Sequence, residues 1–127
     1  MSVKTILILG ALLSGLGVMI GAFGAHGLAK MLTESGRTDT FETAVKYQMY
    51  HALGLLLVGI LMTQFPGATG MRISGLCFLI GILIFSGSLY ILCLTGIKWM
   101  GAITPVGGLF LIGGWLNLVW ALAKNLP

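Results

Sequence analysis

The sequence predicts an all-α integral membrane protein: four transmembrane helices packed as a bundle in one domain spanning 1–127. Three observations carry this. The chain is 57% hydrophobic and only 8% charged, with a mean hydropathy of +1.05, whereas a soluble domain carries roughly 25% charged residues. Its cations are evenly spaced: Lys4 to Lys30, Lys46 to Arg72, Arg72 to Lys98 and Lys98 to Lys124 each enclose 25 residues without Asp, Glu, Lys or Arg. About 20 apolar residues cross a hydrocarbon core of about 30 Å, so each window holds one span. The 20 glycines suit helices that approach closely inside a membrane. The windows are continuous apolar runs, which excludes the short alternating strands of a barrel.

The first span is placed near 4–30. It has the cation and small residues of a signal peptide, but its apolar run greatly exceeds the roughly 7–15 residues of such a segment, so it is expected to remain as a helix. All three acids lie in the connection from Lys30 to Lys46. Gly36 breaks that connection. Asp39 followed by Glu42 has a capping-box spacing that starts the second span near Thr40, giving 40–64. Pro66-Gly67 marks a turn, and the third span covers 71–96. Thr104-Pro105 reads as an N-cap and first helical position, giving 104–124. Gly96 to Ile103 then forms an interfacial connection with Trp99 at headgroup depth.

Cation counts orient the chain poorly. The face bearing both termini holds Lys4, Arg72 and Lys124; the other, side B, holds Lys30, Arg37, Lys46 and Lys98. The acids of side B and the free amino terminus tilt the expectation towards cytoplasmic termini. The net charge of +4 is spread over both faces, so no nucleic-acid partner is expected. Cys77 and Cys93 lie on one helix about 24 Å apart, too far for a disulfide.

Small residues mark the packing faces. Gly10, Ser14, Gly17, Gly21 and Gly24 repeat at 4-3-4-3, the seam of a left-handed helix pair. Gly81 belongs to a seven-residue repeat on the third span, and Gly107 and Gly114 to one on the fourth. Lipid tails are as apolar as leucine, so close backbone approach and interhelical hydrogen bonds hold such helices together. Those stripes lack the charges of an aqueous pore. The small faces of spans three and four are also open to a partner, so self-association is an expectation alongside contact with membrane lipids.

Polar residues gather near side B. Counted inward from the flanking cations, His26, His51, Ser88, Tyr90 and Thr104 fall about 6 to 15 Å deep, with Tyr47 and Gln48 shallower and Ser86 on the face of Tyr90. Gln48, Tyr47 and His51 share a helix face. The simplest reading is a hydrogen-bonded clamp fixing helix register. The alternative is a small transporter or ligand-binding protein in which His26 and His51 do the work, because an ionisable group within a membrane is a functional candidate. No metal-ligand or haem spacing is present, so neither metal nor cofactor is expected. No carboxylate is placed to orient a histidine beside Ser86 or Ser88, so the expectation is a non-enzyme.

Four strings carry a resemblance: GAFGAHGL at 21–28, YQMYHALGLLL at 47–57, FSGSLYILCLTG at 85–96 and ITPVGGLFLIGGW at 103–115. They resemble the signatures of the YwdK/YgdD-like family of small bacterial inner-membrane proteins, a domain-of-unknown-function group whose eukaryotic relatives are called transmembrane protein 256. The resemblance implies a four-helix protein of the bacterial inner membrane with no catalytic residues to carry over. Its expected role is accessory, lipid-interacting or in assembly.

Overall fold

The computed structural model describes residues 1–127. Each charge-free window contributes a helix long and apolar enough to span a bilayer. The elements are α1 (Val3–Ala25), α2 (Ala29–Ser35), α3 (Thr38–Gln64), α4 (Met71–Thr95) and α5 (Met100–Asn125).

Three boundaries differ from the sequence expectation. The first span does not reach residue 30. α1 stops at Ala25, where the Leu28 amide bonds back to the Phe23 carbonyl at 3.0 Å and turns the chain. The separate helix α2 follows, closed by Gly36 in the left-handed conformation at φ 67°, which only glycine adopts without strain. α3 starts two residues before Thr40, with Arg37 at its N-cap and no side-chain cap. Asp39 is therefore not a cap; it sits in the first turn, where its charge complements the helix dipole. The largest shift is at α5. Thr104 and Pro105 are not its start, because Met100 already begins the helix and Pro105 lies inside it. Three tight i to i+3 bonds, ending on the carbonyls of Ile97, Lys98 and Trp99, seed the turn before the proline. The Thr104 hydroxyl, one residue before the proline, donates to the Met100 carbonyl at 3.3 Å.

The spans neighbour one another in the order α1, α3, α4, α5. The inner helices α3 and α4 are more buried than the outer α1 and α5. A single core cluster draws on all four, with Ile6, Leu55, Phe78 and Leu111 among its members. A smaller cluster of Leu32, Phe41 and Cys93 anchors α2 beneath side B.

Glycine determines how closely the helices approach. A Cβ at Gly10 would come within 3.0 Å of the Ala52 carbonyl; one at Gly17 would reach Gln48, and one at Gly21 would lie 3.2 Å from Val45. At Gly24 it would run into the Phe41 ring. Ascending positions on α1 thus meet descending positions on α3, an antiparallel seam. Ser14 sits on the same stripe, its hydroxyl turned back to the Gly10 carbonyl at 2.8 Å. The α4–α5 pair repeats the pattern: Gly81 faces Leu111, Gly107 faces the Phe85 backbone and Gly114 faces Phe78.

Candidate functional site

The polar residues of side B form interhelical ties. Gln48 on α3 is 3% exposed. Its Nε2 donates to the Leu13 carbonyl of α1 at 2.9 Å, and its Oε1 accepts from the Tyr90 hydroxyl of α4 at 2.6 Å. One side chain therefore joins three helices. Gly17, one turn along α1, faces this tie: a Cβ there would stand 3.5 Å from that same nitrogen, at ordinary contact distance.

His51 forms the second tie, between α3 and α5. Its Nδ1 lies 2.7 Å from the Tyr47 carbonyl, and its Nε2 is 3.0 Å from Trp115 Nε1. An indole nitrogen only donates and a carbonyl only accepts, so Nε2 carries the lone pair and Nδ1 the proton. The ring is a neutral imidazole with both nitrogens engaged. Phe78 meets it edge-on, with centroids 5.5 Å apart, and the exposed Tyr47 stacks on it at 6.0 Å and 20°.

Two shorter ties complete the set. The Ser86 hydroxyl, 1% exposed, donates to the Ala44 carbonyl across the α3–α4 contact at 2.6 Å. The Ser88 and Thr104 hydroxyls lie 2.6 Å apart between α4 and α5; with the Thr104 proton on the Met100 carbonyl, Ser88 donates and Thr104 accepts. No buried side-chain nitrogen or oxygen is left without a partner.

His26 does not join them. It caps the C-terminus of α1 and is exposed. Depth counted along each helix places His26 and His51 in one layer, but depth is one coordinate and rotation about the helix axis is another. Similar depth therefore does not bring them together. No three His, Cys, Asp or Glu side chains come together as a metal site.

Two cavities open near side B and share Phe41 in their walls. One is a groove of about 470 Å³ between α1 and α4, lined only by apolar and aromatic side chains: Leu16, Met19, Ile20, Phe23, Leu28, Phe41, Tyr90 and Leu94. A smaller hollow sharing Leu16, Ile20 and Tyr90 extends it along α1 to Leu13 and Gln48. The other, of about 370 Å³, lies among α1, α2 and α3 and includes Glu42 and Lys46.

A family model described as "Protein of unknown function (DUF423)" matches residues 20–108. This chain belongs to that family. Among similar curated proteins, the UPF0382 membrane protein SH2409 of Staphylococcus haemolyticus is 47% identical over 123 residues, 95% of this chain and 97% of the relative. The UPF0382 membrane protein SSP2132 of Staphylococcus saprophyticus is 49% identical over 118 residues, 91% and 94% of the two chains. The UPF0382 membrane protein YwdK of Bacillus subtilis is 44% identical over 123 residues, 97% and 99%. No solved structure matches. The resemblance drawn from the four strings is thereby confirmed, and this DUF423 chain is a membrane protein of a family without an assigned activity.

Sequence reasoning missed one partner in this DUF423 chain, Trp115. A signal was present. Trp115 lies nine residues from Lys124, about 14 Å inside the flanking charge, well below the headgroup belt that tryptophan favours. An indole at that depth needs an acceptor for its N–H, and Gly54 clears space beside it. Trp115→Phe should leave His51 Nε2 buried without a donor, costing about 1–3 kcal/mol. Reversible unfolding in mixed micelles checks this; wild-type stability would show that the indole bond contributes nothing.

Proposed function

We propose that the protein is a non-catalytic accessory protein of the bacterial inner membrane that holds a lipid acyl chain in the groove between α1 and α4. The groove itself carries this reading: its eight lining residues are apolar or aromatic, and it lies along two membrane-spanning helices, where acyl chains are the surrounding solvent. The interior supports it from the other side. The polar side chains are consumed in ties between helices, and His51 has no free nitrogen with which to take up a substrate or a coupling proton. The transporter reading draws on His26 and His51 together, and the two share no hydrogen-bond partner.

Phospholipid with a photoactivatable diazirine in its acyl chain tests the proposal. After reconstitution and illumination, labelled peptides should concentrate on Leu16 to Phe23 and on Leu94. Equal labelling of the outward residues Leu109, Leu116 and Val119 of α5, all well exposed, would mean ordinary bilayer contact and overturn the groove. Ile20→Trp, which fills the groove, should remove the preferential label.

A further inference from the structure

The second cavity points to a different ligand chemistry. It is bounded by Gly21, Gly24 and Ala25 of α1, by Ala29, Leu32 and Thr33 of α2, and by one edge of α3. That edge presents Thr38, Glu42 and Lys46 at successive turns. Glutamate four residues before lysine is the favourable order for an ion pair along a helix. Here the pair does not close: the one ion pair within 4.0 Å is Lys30 with Glu34 on α2. Glu42 and Lys46 instead present one negative and one positive charge to a shared space of about 370 Å³, within the roughly 300–1,000 Å³ typical of small-ligand sites.

The order of the charges along the membrane normal matters. α3 runs inward from side B, so Glu42 is the outer charge and Lys46 lies one turn deeper, about 6 Å. At the depth of Lys46 the wall also includes Val45 and Gly21. An amine-bearing phospholipid has the same sequence of groups: ammonium outermost, phosphate next, then glycerol and acyl chains. We propose that this cavity binds the phosphoethanolamine group, with the Glu42 carboxylate accepting from the ammonium and Lys46 Nζ donating to the phosphate. A primary ammonium can donate hydrogen bonds to a carboxylate. A trimethylammonium cannot, and is recognised instead by cages of aromatic rings, whereas this cavity offers only Phe41. A glycerol headgroup supplies no cation for Glu42. The site stands apart from the α1–α4 groove and does not depend on it.

Native mass spectrometry of the full chain released from bilayers of mixed phosphatidylethanolamine, phosphatidylcholine and phosphatidylglycerol reads retained lipid directly. Wild type should retain phosphatidylethanolamine over the other two by about fivefold, the scale of one exposed ion pair. Glu42→Gln and Lys46→Gln should each remove that preference. The double swap Glu42→Lys with Lys46→Glu preserves net charge but reverses the order, and should remove it too. Both side chains are exposed, so the variants should fold, as an unchanged melting curve would verify. Soluble phosphoethanolamine at millimolar concentration distinguishes the source: failure to displace the lipid assigns the site to a headgroup in the bilayer, and displacement assigns it to the free zwitterion. Equal retention of the three lipids, or a preference that survives the swap, overturns the proposal.

Discussion

Gly107→Val should separate α5 from α4, while Gly113→Val, six residues along the same helix, should be nearly silent. A Cβ at Gly107 would strike the backbone of Phe85 as well as its side chain. Backbone cannot rotate away as a flexible side chain does, so the two helices must part. Overpacking costs about 1–3 kcal/mol where side chains can adjust, and more where they cannot; at Gly107 a loss of at least about 3 kcal/mol is expected. Parting α4 from α5 also stretches the Ser88–Thr104 bond and the Trp115–His51 bond, both of which require the present spacing. A Cβ at Gly113 would meet nothing within 4 Å, and valine there faces lipid. Unfolding of the two variants in mixed micelles, side by side, checks this. Equal stability would mean that the α4–α5 contact is not set by glycine.

That contrast also shows what was legible in the residues. The spans were legible because a charge in hydrocarbon is expensive, so charges collect at the ends of helices and their spacing reports span length. The start of α5 was less so. Thr104-Pro105 has the composition of a helix start, and nothing in that dipeptide reveals that Ile97 to Trp99 already supply the carbonyls that begin the helix. The polar layer was legible in depth and not in partnership. Gln48, Ser86, Ser88, Tyr90 and Thr104 all enter ties, whereas His26 ends exposed on α1. Which residue meets which depends on how helices are rotated and which of them are neighbours. Those are properties of the assembled bundle, set here by close approach at Gly10, Gly81 and Gly107.

Lipid-facing and tie-forming positions should differ most at Gln48. Gln48→Leu keeps a side chain of similar size on α3 but leaves the Tyr90 hydroxyl without its acceptor and the Leu13 carbonyl without its second donor. The cost is dominated by the unpaired hydroxyl, about 1–3 kcal/mol. A double-mutant cycle separates that penalty from the worth of the bond. Tyr90→Phe alone leaves Gln48 Oε1 unpaired and should destabilise; combined with Gln48→Leu, it removes both partners and should cost less than the sum of the two. The coupling should be near the average of about 0.6 kcal/mol for polar contacts in membranes, with an upper value of about 1.7. The Leu13 bond is lost in Gln48→Leu and in the double variant alike, so it adds to the single-variant cost and cancels from the coupling. Additive single-variant effects would mean that Gln48 and Tyr90 act independently. A positive coupling that disappears in a Gly17→Leu background, where the amide can no longer reach Leu13, would establish that the three helices are fixed by one side chain.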